Sequence, residues 1–327
     1  MKTEAFGNLV DELRKAPEVA LFSHVSPDGD CLGSMLAIGL ALEKLGKRVE
    51  FYNPDPVPKN LAFLSGASRI KPWREGMFLP QALLFVDCAD LQRANVEDRQ
   101  IPVQATCLNL DHHISNQKFG HVNVVDPEAA ATGELAYDLV RGLGVRLDQE
   151  MAENLYTAIL TDTGSFQYGN TTARTHQVAA ELLAEGIEFM RIHHRIFDQK
   201  PLAQVRLLER ALSSLELFAD GKLGIMVLSI ADFAASGAED ALSEGLINHV
   251  RTIEGVEAAV LLREVEAGKV KAGLRSNLWL DVNAIASQFG GGGHKRAAGC
   301  TIQASLADAK AQILVAMEEA LQIGRSH

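Results

Sequence analysis

The sequence predicts an α/β protein: a doubly wound, mostly parallel sheet domain is joined by a helical linker to a second, smaller α/β domain. Three observations lead to this prediction. The chain has 327 residues, 47% of them hydrophobic, which is enough to bury two cores. Strand-like and helix-like segments alternate in the first half, and the alternation restarts after a polar helical stretch. We therefore place the domains at residues 1–185 and 218–327, with the linker at 186–217.

The first domain shows the alternation that is typical of parallel strands connected by helices. Its predicted strands are short apolar runs, and its predicted helices carry apolar residues at helical spacing. The strands are expected at 19–24, 48–52, 82–86, 106–110 and 122–125, and the helices at 31–45, 133–141, 149–160 and 174–183. This alternation predicts a mostly parallel sheet with helices on its faces.

The second domain follows a linker in which we expect helices and no strand. Beyond the linker, apolar runs predict strands at 223–230, 256–265 and 269–274. A helix is expected at 281–289, and it leads into the four glycines Gly290-Gly291-Gly292-Gly293. Because strands and a helix alternate again, this domain is also expected to be α/β.

Composition restricts the classes of function. The formal net charge of −11 disfavours long duplex nucleic acid as a partner, because binding its backbone needs many Lys and Arg side chains. Small phosphorylated molecules are still possible ligands, because bound divalent cations would cancel the negative charge of a carboxylate cluster and make the pocket attractive to anions. No apolar run approaches the roughly 20 residues of a membrane span, and the N-terminus lacks the apolar region of a signal peptide. We expect a cytoplasmic protein without a membrane partner.

Aspartate and histidine side chains follow several of the predicted segments directly. Open α/β sheets bind ligands outside the carboxyl ends of their strands, so we expect these side chains to converge. Mixed oxygen and imidazole donors suit Mn²⁺, Fe²⁺ or Mg²⁺, and a candidate set without cysteine argues against structural zinc. We favour two Mn²⁺ ions. The candidate ligands are His24, Asp28, Asp30, Asp87, His112 and Asp162.

The spacing of these residues suits a pair of adjacent ions. Asp28 and Asp30 flank Gly29 and can point the same way, while Asp87 can bridge both ions through its two oxygens. Two ions about 3.5 to 4 Å apart can lower the pKa of a bridging water and neutralise charge on a phosphoryl group. Phosphoester hydrolysis is the expected chemistry. Taken singly, each cluster is also explained as a polar turn, a histidine pair or a helix cap, and this alternative weakens when all are considered together.

The ordered motifs resemble those of the DHH phosphoesterase family. The triplet Asp111-His112-His113 carries the resemblance together with residues on either side of it. These are His24, Asp28, Asp30 and Asp87 before the triplet and Asp162 after it. The segment Gly290-Gly291-Gly292-Gly293-His294-Lys295-Arg296-Ala297-Ala298-Gly299 is similar to the glycine-rich signature of an accessory domain. That domain accompanies the branch of the family that contains RecJ-like exonucleases and the NrnA-type enzymes. Together the motifs run from residue 24 to residue 299.

The resemblance implies a role for each motif residue. His113 would face the scissile phosphate as electrostatic stabiliser or proton donor, and Asp111 would orient its neighbours. One ion would be held by His24, Asp28 and Asp87, and the other by Asp30, Asp87, His112 and Asp162.

Substrate binding is expected in the second domain. Consecutive glycines carry no Cβ, so a phosphate or base can approach the backbone closely, although a flexible loop is the alternative. Arg275 is placed similarly to an arginine that the family uses on substrate phosphate, and a surface arginine at a strand end is an equal alternative. The candidate substrate-binding residues are Arg275, Gly292, Gly293, His294 and Arg296. One departure from the family pattern is Gln167, where similar sequences often have arginine.

The resemblance implies a Mn²⁺-dependent exonuclease that releases mononucleotides from short RNA oligonucleotides and converts 3'-phosphoadenosine 5'-phosphate to AMP. Its partners would be these short RNAs and nucleotides, its active site would lie between the two domains, and a homodimer stays open. One alternative is a soluble phosphodiesterase of linear or cyclic dinucleotides such as pApA and cyclic di-AMP. Inorganic pyrophosphatases share the catalytic motifs but carry a different second domain. An alternative from another class is a non-catalytic nucleotide-binding regulatory protein.

Overall fold

The structure is a computed structural model that describes residues 2–323. The chain divides into two compact units, Met1–Gln199 and Lys200–His327. Each unit has its own sheet and its own buried core.

The first unit is built on five parallel strands in the order β2-β1-β3-β4-β5. The strands are β1 (Glu18–Phe22), β2 (Arg48–Tyr52), β3 (Ala82–Val86), β4 (Thr106–Asp111) and β5 (Val122–Val125). The predicted α/β class with its parallel sheet is confirmed. The strand order reverses between β1 and β3, and in open sheets such a switch point is where ligands bind.

The α-helices described in this unit are α1 (Lys2–Lys15), α2 (Gly29–Lys44), α3 (Thr132–Gly142), α4 (Gln149–Asp162), α5 (Ala173–Ala184) and α6 (Phe189–His193). Short 3₁₀ turns lie at Lys59–Leu61, Ala67–Arg69 and Asp98–Gln100. Our prediction omitted α1, although Leu9 and Leu13 stand four residues apart on it and are fully buried.

Helices cover one face of the parallel sheet. Leu21 of β1 and Leu84 of β3 are buried in the same core as Leu32 and Leu36 of α2. Helix α2 also packs closely on α4, because a Cβ at Gly33 would lie 2.3 Å from the backbone oxygen of Asn154. This close approach brings the end of α4 beside the start of α2.

The opposite face of this sheet is covered by irregular segments. Phe22 and Phe85 stack on it with their ring centroids 5.0 Å apart. Leu79 and Val96, from the segments that flank β3, complete this smaller core, with Trp73 packed against it. The face is thereby closed without a long helix among the described residues.

The second unit has six strands in the order β10-β11-β9-β8-β7-β6. They are β6 (Glu216–Phe218), β7 (Leu223–Leu228), β8 (Ala258–Glu266), β9 (Lys269–Ser276), β10 (Gly292–His294) and β11 (Ala297–Ile302). Among the strands described in this unit, only β7 and β8 pair in parallel. The helices are α7 (Leu202–Ser213), α8 (Ile230–Ser236), α9 (Asn248–Arg251), α10 (Val282–Gln288) and α11 (Leu306–Ile323). The second α/β domain is therefore confirmed, with α8, α9 and α11 as unpredicted helices.

The stretch predicted as a helical linker contains a strand, which corrects our prediction. Residues 186–217 include α6, a π-helical turn at His194–Asp198, α7 and the start of β6. Strand β6 has three residues and pairs antiparallel with β7 at the edge of the second sheet. Three residues are too few for period-two alternation to be recognised in a sequence.

None of the helices in residues 2–323 is long and apolar enough to cross a membrane. All four cysteines are unpaired and buried. They are Cys31, Cys88, Cys107 and Cys300.

Candidate functional site

The carboxyl ends of β1, β3 and β4 bring three loops to one edge of the parallel sheet. Each of them contains a non-glycine residue with positive φ: Ser26 at 54°, Asp87 at 60° and Lys118 at 52°. The loop after α4 adds Ser165 at 60° and Phe166 at 63°, followed by the exposed Gln167. Such conformations are uncommon for residues with a Cβ, and they concentrate where function demands them.

Asp87 lies at the centre of this cluster and is 2% exposed. Its Oδ2 lies 3.3 Å from Nε2 of His24, and its Oδ1 lies 3.7 Å from Nε2 of His112. Oδ1 also accepts a hydrogen bond of 2.7 Å from Oγ1 of Thr132. The two carboxylate oxygens therefore face two different imidazole rings, as is needed for a carboxylate that two ions share.

His24 and Asp28 form one side of the cluster. Nδ1 of His24 donates to the carbonyl oxygen of Val25 at 2.8 Å, which leaves Nε2 as an acceptor in the neutral ring. This Nε2 lies 3.9 Å from Oδ2 of Asp28. The other oxygen of Asp28 caps α2 by accepting from the N–H of Cys31 at 3.0 Å. One side chain thus serves as helix cap with one oxygen and faces His24 with the other.

Asp30 is held in the first turn of α2 by the start of α3. Its two oxygens accept the backbone N–H groups of Thr132 at 2.7 Å and Gly133 at 2.8 Å. These N–H groups belong to the first turn of a helix, where a negative charge is favoured. Oδ2 of Asp30 also lies 3.7 Å from Nε2 of His112.

His112 and Asp162 form the other side of the cluster. Nδ1 of His112 donates to the carbonyl oxygen of Ala129 at 3.1 Å, so its Nε2 points into the cluster. There it lies 3.6 Å from Oδ2 of Asp162, the last residue of α4. The structure therefore brings together all six residues that were predicted as metal ligands.

Asp111 and His113 lie beside the cluster. Oδ1 of Asp111, which is fully buried, accepts from Nδ1 of His113 at 2.7 Å and from the backbone N–H of His112 at 2.8 Å. Its Oδ2 accepts from Nδ2 of Asn116 at 2.5 Å. Asp111 thus fixes the ring of His113 and leaves Nε2 of that ring available.

Burial and repulsion shift the pKa values of the carboxyl groups. The pKa of Asp30 is well above its ordinary value, first because the group is buried and then because of the charge of Asp87. Burial also raises the pKa of Asp162 to about 6. A cluster of acids that resist ionisation gains stability from positive charge placed among them.

Carboxylates near the histidines also shift the pKa values of the imidazole rings. The hydrogen bond that His113 donates to Asp111 raises the pKa of His113 to about 9. Burial disfavours the charged form of His24, yet the hydrogen bond and charge of Asp87 outweigh it and raise that pKa. Burial likewise opposes ionisation of Asp111, but hydrogen bonds from His113 and Asn116 lower its pKa. Asp111 and His113 therefore form a charged pair at neutral pH.

The donor set fits divalent metal ions. Its ring nitrogens face inward, and the carboxylates of Asp30 and Asp87 are buried beside them. Within the described residues, three groups have donor atoms within 4.8 Å of one another: His24, Asp28 and Cys31; Asp87, His112 and His113; and Asp30, His112 and Asp162. Oxygen and imidazole donors of this kind suit Mn²⁺, Fe²⁺ or Mg²⁺.

Cys31 is a neighbour of the cluster that the sequence argument did not consider. Its thiol is fully buried and lies 3.5 Å from the carbonyl oxygen of Asp28. Burial raises the pKa of this thiol well above its ordinary value.

Thr132 and Asn116 are further site residues that the sequence argument missed. Thr132 donates its hydroxyl to Asp87 and its N–H to Asp30, and Asn116 donates to Asp111. The one sequence signal for Thr132 is its place at the start of a predicted helix, where free N–H groups accept an anion. Asn116 carries no such signal, because its role depends on a loop conformation.

The second unit has a pocket of about 590 Å³ on the open face of β9 and β11. Its lining includes Arg275, Gly292 and two cations that we did not predict, Arg263 and Lys271. Lys271, Gly273 and Arg275 are alternate residues of β9, so the period of two would have revealed this face. Asp240 partly offsets the charge, since it pairs with Arg263 at 2.6 Å and with Lys271 at 3.1 Å.

The glycine run forms a tight hairpin with β11. A Cβ at Gly291 would lie 2.2 Å from the backbone oxygen of Gly299, and one at Gly293 would lie 2.4 Å from that of Ala297. The absence of a side chain is thus required by the fold at these two positions. Gly293, His294 and Arg296 lie in the hairpin next to the pocket lining, and His294 and Arg296 are exposed.

Comparison with known proteins gives matches for both units. Residues 18–161 match the DHH family N-terminal domain, and residues 223–322 match the DHHA1 domain. The bifunctional oligoribonuclease and PAP phosphatase NrnA of Thermus thermophilus is 36% identical over 316 residues, covering 96% of this chain and 94% of that protein.

Solved structures show the same fold. A crystal structure of an exopolyphosphatase-related protein from Bacteroides fragilis superposes with a TM-score of 0.88 at 25% identity, covering 98% of this chain and 96% of that one. RecJ from Thermus thermophilus, solved in complex with Mn²⁺, has a TM-score of 0.52 at 14% identity and covers 98% of this chain but 55% of that one.

Proposed function

Because this chain belongs to the DHH family and is a hydrolase of phosphoester bonds, we propose that it degrades short RNA oligonucleotides and dephosphorylates 3'-phosphoadenosine 5'-phosphate. RNA would be shortened exonucleolytically with release of mononucleotides, and the second substrate would yield AMP. The observation that carries the proposal is the convergence of three further aspartates and two histidines around Asp87, in a chain that aligns with an oligoribonuclease and PAP phosphatase over nearly its whole length.

Two divalent cations, Mn²⁺ by preference, would be held by the cluster around Asp87. His24, Asp28 and Asp87 would bind one, and Asp30, Asp87, His112 and Asp162 the other. The ions would supply Lewis acidity that activates water and offsets charge on the phosphoryl oxygens. The support is the donor chemistry: the imidazole nitrogens face inward, and burial raises the pKa values of the Asp30 and Asp162 carboxyl groups.

His113 is the proton donor in this proposal. With its pKa raised to about 9, its imidazole is protonated at neutral pH, and Nε2 is the ring nitrogen that remains available. The group would stabilise negative charge on the phosphoryl oxygens and pass its proton to the leaving oxygen. Asp111 holds the ring through Nδ1 and keeps it charged.

The pocket of the second unit would bind the substrate away from the reacting phosphorus. Arg275 is half-buried there, and no carboxylate among the described residues pairs with it, since Nη1 donates to the carbonyl oxygen of Leu274 at 2.9 Å. A guanidinium held by a neutral partner keeps its attraction for phosphate. Lys271 and Arg263 would contribute less, because Asp240 already pairs with both.

A substrate panel with Mn²⁺ tests the proposal. The six substrates are 3'-phosphoadenosine 5'-phosphate, RNA of two to five nucleotides, a longer single-stranded DNA, pApA, cyclic di-AMP and pyrophosphate. We expect the first two to be hydrolysed fastest, with AMP and mononucleotides as products. Fastest turnover of pApA or cyclic di-AMP would make the chain a dinucleotide phosphodiesterase. Equal background rates for the chain and its Asp87→Asn variant on every substrate would favour a non-catalytic nucleotide-binding protein.

A further inference from the structure

The second unit has another pocket, of about 580 Å³, at the end of its sheet. It lies where the turn before β7, the segment between α9 and β8, and the loop after β9 meet. The residues that define it here are Lys222, Arg251, Glu257, Asn277, Leu278 and Trp279. We call it the Trp279 pocket. It differs from the pocket on the face of β9 and β11 in all of its lining residues.

The loop that carries Trp279 is held rigidly. The buried carboxylate of Glu257 accepts the backbone N–H groups of Leu278 at 3.1 Å, Trp279 at 2.8 Å and Leu280 at 2.8 Å. Nδ2 of Asn277 donates to the carbonyl oxygen of Arg251 at 2.9 Å. A loop fixed by this many bonds loses little conformational entropy when a ligand binds.

This rigid loop presents apolar side chains to solvent. Leu278 is 72% exposed and Trp279 is 39% exposed, although both backbone N–H groups are fully satisfied. Adjacent exposed apolar side chains on a fixed loop mark a binding surface more often than single ones do. An indole beside cations is suited to stack on a flat, anionic partner.

Arg251 supplies positive charge to the same pocket. Its Nε donates to Oδ1 of Asn277 at 3.0 Å and its Nη1 to Oδ1 of Asn248 at 3.4 Å. Both acceptors are neutral amides, so the guanidinium is positioned without being neutralised by them. Lys222 lines the pocket as a second cation. The carboxylate of Glu257 is turned inward onto backbone N–H groups, which leaves the cations to set the sign of the pocket.

The Trp279 pocket lies beside the candidate substrate-binding residues of the same unit. Nη1 of Arg296 donates to the carbonyl oxygen of Asn277 at 2.6 Å, which ties the glycine-rich hairpin to the Trp279 loop. Burial, and after it the positive charge of Arg251, lower the pKa of Arg275. Arg251 and Arg275 therefore share one electrostatic neighbourhood, and their pockets are neighbours in a chain of net charge −11.

We propose that the Trp279 pocket binds a nucleotide unit of single-stranded RNA, with the base stacked on Trp279 and a phosphate at Arg251 and Lys222. The inference rests on the proposed function, since it gives oligomers a second contact that a mononucleotide substrate does not need. Stacking accepts every base, so this pocket would add affinity without sequence preference. Oligomers long enough to occupy both pockets would bind more tightly than dinucleotides.

Tryptophan fluorescence tests this pocket directly. The sequence has two tryptophans, so a Trp73→Phe variant leaves Trp279 as the one reporter. Titrations are made in a chelator, so that binding is observed without turnover, with RNA of two and five nucleotides, AMP, an abasic oligomer and inorganic phosphate. We expect saturable quenching by RNA and AMP, tighter for the pentanucleotide, and little quenching by the abasic oligomer or by phosphate. No quenching by any nucleotide overturns the proposal, and quenching by AMP with no gain from length overturns its RNA assignment.

Variants separate the pocket from general charge effects. By calorimetry, Trp279→Leu should weaken pentanucleotide binding by about 5- to 100-fold, while Trp279→Tyr should retain most of it. Arg251→Gln should weaken binding and reduce the salt dependence by about one unit of slope. Arg206→Gln, which removes an exposed charge from α7 of the same unit, is the matched control. Equal losses in the Arg206 and Arg251 variants would contradict a defined pocket.

The test also distinguishes this inference from the proposed function. If the unaltered protein hydrolyses short RNA with Mn²⁺ but shows no Trp279 quenching, the pocket fails and the proposed function stands. If nucleotides quench Trp279 saturably and no RNA is hydrolysed, the pocket is supported as a nucleotide site and the proposed function fails.

Discussion

Nε2 of His24 lies 3.3 Å from Oδ2 of Asp87, and both groups are at most 3% exposed. The imidazole donates its other nitrogen to a backbone carbonyl, so this contact joins an acceptor nitrogen to a carboxylate. Two acceptors at this distance repel unless a proton or a cation lies between them. The space beside His24 and Asp87 is therefore a position in the first unit where a proton or a cation would be stabilised.

Asp87→Asn is expected to lower turnover with Mn²⁺ by more than about 100-fold. Mutating a residue that only hydrogen-bonds to a metal ligand already lowers activity by up to about 100-fold, and Asp87 is itself a proposed ligand. The amide keeps the size of the side chain but removes one of two shared oxygen donors. Steady-state hydrolysis of a dinucleotide measures the loss, and circular dichroism checks the fold. Asp90→Asn is the matched control, because Asp90 accepts from the backbone N–H of Arg93 outside the cluster. Comparable activity in the two variants would show that Asp87 is not shared by two ions.

Asp111→Asn should shift the alkaline limb of the pH–rate profile to lower pH. His113 acts as a proton donor, so activity falls as pH rises through its pKa, which its hydrogen bond to Asp111 raises to about 9. Removing the carboxylate removes that cause, and the protonated fraction at pH 8 declines. Rates measured from pH 6 to pH 10 give the limb. An unchanged limb with a uniformly lower rate would assign Asp111 a structural role only.

Asp162→Asn should stabilise the metal-free protein at pH 8 and by about half as much at pH 5, which lies midway between the ordinary pKa of an aspartate and the raised one. Burial raises the pKa of the Asp162 carboxyl group to about 6 in the folded state. The folded state therefore loses stability as pH rises from the pKa of this group in the unfolded chain through its pKa in the folded one. The neutral amide avoids this loss, which is of order 1–3 kcal/mol at most. Thermal unfolding in a chelator at both pH values measures it, with Asp11→Asn on the exposed face of α1 as control. Destabilisation of the Asp162 variant at pH 8 would contradict the claim that the ionised Asp162 carboxylate costs stability in the metal-free protein.

Much of the site was predictable because parallel strands end at one edge of a sheet. Asp87 follows β3 and Asp111 ends β4, so their convergence follows once the strands are recognised. Asp28 and Asp30 were predicted to serve two ions, and the structure adds that each also satisfies backbone N–H groups at a helix start. The sequence pattern therefore predicted which residues form the site, but it did not predict the hydrogen bonds that orient them.

The remaining features depend on contacts between distant segments. Thr132 reaches Asp87 across 45 positions of sequence, and Asn116 reaches Asp111 through a loop conformation that no periodicity encodes. The glycine run was predicted to let a ligand approach the backbone, whereas Gly291 and Gly293 are required by their close approach to β11. Strand β6 escaped prediction because three edge residues carry no alternation.

Anomalous diffraction at the manganese edge, from crystals grown with Mn²⁺, tests the central claim most directly. We expect two peaks about 3.5 to 4 Å apart, with one oxygen of Asp87 directed at each, His24 beside one peak and His112 beside the other. Absence of manganese between these side chains, at concentrations that support hydrolysis, would contradict a catalytic pair of metal ions in this protein.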